Sequence, residues 1–207
     1  KSSKKKSKFI HVKNTMNFLN RLAENKRDLS SAKFIAVTGS SGKTTVKTML
    51  GNLLREYSKT YFSPESYNNQ YGVPLSISNT SPDDDFGVFE VGMSKFKEIY
   101  KLSKIVKPHI GIITNVSEAH LENFRHTKDI AKAKSEIIYN IQIGGTVILN
   151  RDDKFFNYFA KIAQKNKIKI KSFGYSKKSN VRFINLSRKQ GFFFLSLTLD
   201  KKKILLK

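Results

Sequence analysis

Phe34-Ile35-Ala36-Val37-Thr38-Gly39-Ser40-Ser41-Gly42-Lys43-Thr44-Thr45 is the stretch that decides the fold. Four consecutive apolar residues read as a strand buried on both faces. The Gly/Ser turn after it leads into a helix expected from about Lys43 to Tyr57. A strand, a glycine turn and a helix opening on Lys-Thr form a phosphate cradle. Glycines let successive backbone N–H groups converge on an anion, and the helix N-terminus adds positive potential. In such a loop Gly39, Ser40, Ser41, Gly42, Lys43, Thr44 and Thr45 wrap the phosphates; Lys43 reaches the terminal ones and Thr44 offers a hydroxyl to Mg²⁺. The longer form of this motif needs glycine where the chain has Val37, so only the short G-x-x-G-K-T form is present.

Outward from the loop, the same rhythm repeats. Phe86–Phe89, Ile110–Ile113 and Thr146–Leu149 read as further buried strands. Helices are expected over about Lys95–Val106, Lys128–Ile141 and Phe155–Gln164. This alternation predicts an α/β fold, a mostly parallel sheet with helices on both faces. After Ile168 four strand-like segments follow without helices (168–173, 181–186, 192–199, 204–206), with a tight turn at 200–202. They predict a small antiparallel β extension. Toward the N-terminus, Met16, Phe18, Leu19, Leu22 and Ala23 suggest a short amphipathic helix over 14–27, and residues 1–8 a basic lead-in. The division expected is 1–30 as lead-in and linker helix, and 31–207 as the domain that carries the phosphate loop. The strand-like ending at Lys207 reads as a piece of a longer protein.

The 207 residues carry 39 Lys plus Arg against 16 Asp plus Glu, a net charge of +23. That charge attracts polyanions. A nucleic-acid module is disfavoured because 32 of the cations are Lys and only 7 Arg, and they spread along the whole chain; bidentate reading of phosphates and bases favours Arg. No apolar run approaches the roughly 20 residues of a membrane helix. Absence of cysteine removes disulfides and thiol chemistry and fits a reducing, cytoplasmic location.

In doubly wound sheets ligands sit outside the carboxyl ends of the strands. The strand 86–89 is followed there by Glu90. The strand 110–113 is followed by Thr114-Asn115 and then His120. A carboxylate and an imidazole beside a Lys-Thr loop make Thr44, Glu90 and His120 candidate Mg²⁺ ligands, directly or through water. Asn68 and Asn69 lie in a polar loop that spacing alone reads as a turn, and Lys134 by default reads as a solvated helix lysine.

Six segments in this order resemble the Mur ligases: TGSSGKTT (38–45), SYNNQYGVPL (66–75), FGVFEVGM (86–93), VKPHIGIITNVSEAHLENF (106–124), IAKAKSEI (130–137) and GGTVILNRDD (144–153). The short phosphate loop is the form this family uses. The Asn-Asn-x-x-Gly-Val-Pro and Ala-Lys-x-Glu segments point to the branch that adds D-alanyl-D-alanine to a UDP-N-acetylmuramoyl tripeptide. The resemblance implies a P-loop central domain, ATP and Mg²⁺ as cofactors, and an acid–amine ligation through an acyl phosphate in cell-wall precursor synthesis. It implies catalytic roles for Lys43, Glu90, His120 and Lys134, the last as a lysine that can be carbamylated. Asn68 and Asn69 would face the reacting substrate end, while Asn150 and Asp153 lie in a segment whose role is less clear. A monomer is expected, and the domain alone is expected to ligate little. The family also has a uridine-nucleotide domain before and a closing domain after this one.

One segment departs from the pattern. Where the family usually has Asn-His-x-Gly-Glu-Ile, this chain has Ser94-Lys95-Phe96-Lys97-Glu98-Ile99. That departure keeps open a ligase of the same chemistry acting on another substrate, as in folate polyglutamation.

Overall fold

A computed structural model describes residues 10–118, 123–124 and 126–207. The described elements run in the order α1 (Thr15–Leu29), β1 (Lys33–Thr38), α2 (Lys43–Arg55), β2 (Thr60–Phe62), α3 (Gly72–Ser78) and β3 (Phe86–Glu90). Next come α4 (Glu98–Val106), β4 (Ile110–Ile113), α5 (Thr127–Ser135), a 3-10 turn (Glu136–Asn140), β5 (Thr146–Asn150) and α6 (Phe156–Lys165). The chain then enters β6 (Lys169–Gly174), β7 (Val181–Lys189), β8 (Phe192–Leu199) and β9 (Lys202–Leu206).

One nine-stranded sheet holds the strands in the order β2-β3-β1-β4-β5-β6-β7-β8-β9. Pairing is parallel from β2 through β7 and antiparallel from β7 through β9. After β3 the chain crosses β1 to reach β4, so the order reverses at β1. That is the switch point where strand ends open a crevice. The predicted α/β sheet with an antiparallel end is therefore present, with two refinements. The 168–173 segment belongs to the parallel part, since β6 pairs with β5 over five residues. The extension is continuous with the same sheet, its ladder with β6 two residue pairs long, Phe173↔Val181 and Gly174↔Arg182.

Side chains of β1 alternate between two cores, as strand geometry requires. Ile35 and Val37 meet Val88, Ile112 and the apolar stripe Val46, Leu50 and Leu54 of α2. Phe34 and Ala36 face the larger core, built from Phe89, Ile99, Ile130, Ile137, Leu149 and Phe159 with the remaining helices. Phe34 and Phe89 stack at 4.8 Å between ring centroids.

Two elements escaped the sequence reading: β2, three residues long, and α3, inside the segment read as a polar loop. Pro74 sits in the first turn of α3, where a missing N–H costs nothing. Helix α4 begins at Glu98 rather than Lys95, and the helix expected over 128–141 tightens into a 3-10 turn at Glu136. Helix α1 docks on the domain: buried Arg27 donates through Nε to Val106 O (2.7 Å) and stacks over Phe34. No helix among the described residues is long and apolar enough to cross a membrane.

Candidate functional site

Parallel register sets the site. Val37 pairs with Glu90 on β3 and Thr38 with Ile113 on β4, so three strand ends meet at the start of the glycine loop. Gly39 has no room for a side chain: a Cβ there would lie 1.8 Å from Thr114 Oγ1. Gly42 adopts φ 76° as the residue before α2, a left-handed conformation that glycine takes at no steric cost. The loop is braced from β4. Thr114 Oγ1 donates to Ser41 O (2.6 Å), Ser40 N to Asn115 O (3.0 Å) and Ser41 N to Asn115 Oδ1 (3.1 Å). Asp153 braces the brace, accepting from Val116 N at 2.7 Å and Phe155 N at 2.8 Å.

Lys43 and Thr44 open α2. The Lys43 ammonium folds back on Gly39 O at 3.1 Å, and an anion in the loop would replace that carbonyl. Thr44 Oγ1 donates to Glu90 Oε2 at 2.7 Å, and the other oxygen, Oε1, accepts from Asn68 Nδ2 at 2.7 Å. Glu90 is 1% exposed, so both bonds lie in a desolvated setting. Gly92 makes the Asn68 bond possible, since a Cβ there would lie 2.8 Å from the Asn68 amide. Asn69 turns instead to α3, its Oδ1 accepting from Tyr71 N and Gly72 N.

Lys134 is buried in α5, 1% exposed. Burial first, and the Lys43 ammonium second, push its pKa down from 10.5 to about 7. The reading of Lys134 as a solvated lysine is thereby overturned: the structure buries it near Lys43. His120 lies outside the described residues. The structure thus brings Lys43, Thr44, Glu90 and Asn68 into one cluster, with Lys134 electrostatically coupled to it and Asn69 at its rim.

A cleft of about 470 Å³ opens beside the cluster. Lys43, Asn68, Asn69, Met93, Ser94 and Lys95 are among the residues that line it, with Glu98 and Lys101 of α4. Ser94, Lys95 and Glu98 of the segment that departs from the family pattern therefore contribute to the wall of this cleft. Sequence reasoning missed one buried cation here. Lys47 lies one turn after Lys43 and Thr44, on the same side of α2, and is 1% exposed. Its spacing from Lys43 was the available signal.

Thr44 and Glu90 supply a hydroxyl and a carboxylate oxygen 2.7 Å apart, hard donors that fit Mg²⁺. No group of three or more His, Asp or Glu that could hold a metal occurs among the described residues. Such a site relies on phosphate oxygens and water for its remaining ligands.

The sheet, the short loop and the carboxylate at the neighbouring strand end define a P-loop domain of one family. The family model described as the Mur ligase middle domain matches residues 37–206, and the chain belongs to that family. It is 38% identical over 180 residues, 86% of the chain, to the UDP-N-acetylmuramoyl-tripeptide–D-alanyl-D-alanine ligase of Rickettsia prowazekii, covering 40% of that protein. Among solved structures it resembles a MurF from Acinetobacter baumannii (TM-score 0.86, 31% identity, 95% of this chain and 43% of that one). It also resembles the MurF ligase from Thermotoga maritima in complex with ADP (TM-score 0.85, 27% identity, 100% and 47%). The chain spans about two fifths of the length of the curated relatives it matches.

Proposed function

We propose that the chain is the ATP-binding domain of an ATP-dependent amide ligase that joins D-alanyl-D-alanine to a UDP-N-acetylmuramoyl tripeptide. The observation that carries this reading is the Thr44–Glu90 contact at the mouth of the glycine loop. It supports the reading because it joins a hydroxyl from the start of α2, next to Lys43, to a buried carboxylate at the neighbouring strand end. The names of the relatives at 33–39% identity support the substrate pair.

The chemistry asks for two anions to meet. A carboxylate acylates poorly because oxide would be its leaving group. Phosphorylation by the γ-phosphate gives an acyl phosphate, which an amine then opens with release of phosphate. The loop amides and the α2 N-terminus hold the phosphate tail. Lys43 neutralises the transferred group as charge develops. Asn68, tied to Glu90, and Asn69 at the cleft rim would orient the acceptor carboxylate. Thr44 and Glu90 would hold Mg²⁺, which supplies Lewis-acid neutralisation of the phosphates when bound. His120 is proposed beside them on the family pattern. Lys134 has the pKa of an amine that is half unprotonated near pH 7. That is the form that adds CO₂ to give a carbamate and a proton, so carbamylation there is part of the proposal.

Calorimetric titration with Mg·ADP tests the reading. The chain should bind, and Lys43→Ala should weaken binding by roughly 10-fold or more, as loss of a charge-assisted phosphate contact implies. Unchanged affinity in Lys43→Ala would refute the site.

A further inference from the structure

The buried ammonium of Lys47 has no place in the chemistry above. Lys47 lies in the second turn of α2, and its Nζ donates to the backbone carbonyl of Glu65. Glu65 itself is strained, with φ 38°, a left-handed conformation disfavoured for a residue with a Cβ. The turn it makes carries two groups into the phosphate cluster. Ser66 Oγ lies 3.4 Å from Thr44 Oγ1, and Asn68, two residues further on, reaches Glu90. The turn is tethered at its ends by Ser63 N to Val88 O and Gly92 N to Asn68 O, and in the middle by Lys47.

Burial lowers the pKa of Lys47, and the Glu90 carboxylate, with that of Glu65 after it, works against that shift; the side-chain hydrogen bonds of Glu90 come from the neutral groups Thr44 and Asn68. A buried carboxylate with only neutral donors is expensive; a nearby buried cation offsets that cost.

We infer that Lys47 is a positioning residue for the phosphate site, acting as the resident countercharge of Glu90 and as the pin that holds the 63–68 turn against Thr44. The inference rests on the nucleotide-site reading above. Its consequence is a trade. The ammonium competes with a divalent cation for the field of Glu90, and at the same time adds positive potential for the phosphates. Lys47 would thus keep the carboxylate ordered before nucleotide arrives, while moderating how tightly it holds metal.

The test uses this chain, ADP and Mn²⁺ as a paramagnetic probe. Free Mn²⁺ is measured by electron paramagnetic resonance at saturating ADP, and metal-free ADP affinity by calorimetry. Lys47→Met should tighten Mn²⁺ and weaken ADP, each by roughly 3- to 10-fold, as expected for removing one charge from a partly screened site. Lys47→Arg should restore both, and amide exchange at residues 64–68 should quicken in the Met variant alone. Lys47→Gln replaces the Met variant should that one not fold. A merely structural role would weaken both ligands together. That result, or unchanged values in Lys47→Met, would overturn the inference while leaving the nucleotide site standing. A wild-type chain that binds no Mn·ADP would overturn both.

Discussion

The backbone N–H of Lys97 donates to Glu136 Oε1 at 2.8 Å, across the gap between the cleft wall and the 3-10 turn after α5. Oε2 of the same carboxylate accepts from Tyr100 N at 3.0 Å, so Glu136 caps α4 from outside. Lys97 needs the support. It holds φ 68° at the position where the family pattern has glycine. The family's Ala-Lys-x-Glu segment thus serves two places at once, with Lys134 turned into the core and Glu136 anchoring the wall of the cleft.

Replacing Lys97 by glycine should therefore stabilise the domain by about 1 kcal/mol, because a left-handed site suits glycine better than a residue with a Cβ. Glu136→Ala should destabilise it by about 1–2 kcal/mol through loss of the cap. Urea denaturation midpoints of the two variants, moving in opposite directions, are the measurement.

The two loop glycines should fail differently. Gly42→Ala meets open space and pays only for its dihedral, about 1 kcal/mol. Gly39→Ala drives a methyl into Thr114 Oγ1, the atom that bonds Ser41 O, and must displace the loop itself. Thermal melts should show the larger loss for Gly39→Ala, and Mg·ADP affinity should fall much further in that variant.

Lys134 gives the domain a pH signature. Its folded pKa is about 7, against an unfolded value of about 10.4. Between those values the unfolded chain binds the extra proton, so stability rises with pH, at up to about 1.4 kcal/mol per pH unit. Below about pH 7 both states are protonated and the burial penalty is fully present. Lys134→Met should flatten the rise between pH 7 and 9.5 in urea titrations; an equally steep rise in the variant would refute the assignment.

Glu90→Gln removes the anion that faces Lys47 while keeping a similar shape. It should cost about 1–3 kcal/mol, the range for an uncompensated buried polar group, and abolish the metal dependence of nucleotide binding. Calorimetry with and without Mg²⁺ reads the second effect.

The sequence made some parts of this architecture plain and hid others for physical reasons. Strands β1, β3, β4 and β5 are legible because burial on both faces demands unbroken apolar runs. Strand β2 is three residues at a sheet edge, too short for any period to register. Helix α3 is masked by Asn-Gln-Tyr-Gly, which advertises a turn, and by a proline that only its first-turn position makes harmless. Lys43, Thr44 and Glu90 were readable because motif and strand end coincide. Lys47 and Glu136 were not, since a lysine or glutamate on a helix usually meets solvent. What sets these two apart is what folds over them: the Glu65 turn in one case and the start of α4 in the other.

The seam between β6 and β7, two residue pairs wide, divides the sheet mechanically. The ribbon from Val181 to Leu206 is held internally by long antiparallel ladders, but its ties to the rest of the sheet are few: those two pairs, the Lys171–Asp200 ion pair, the Arg182–Tyr175 hydrogen bond and the Tyr175–Phe183 ring contact. Pulled or warmed, it should peel away as a separate flap and leave the glycine loop and its braces intact.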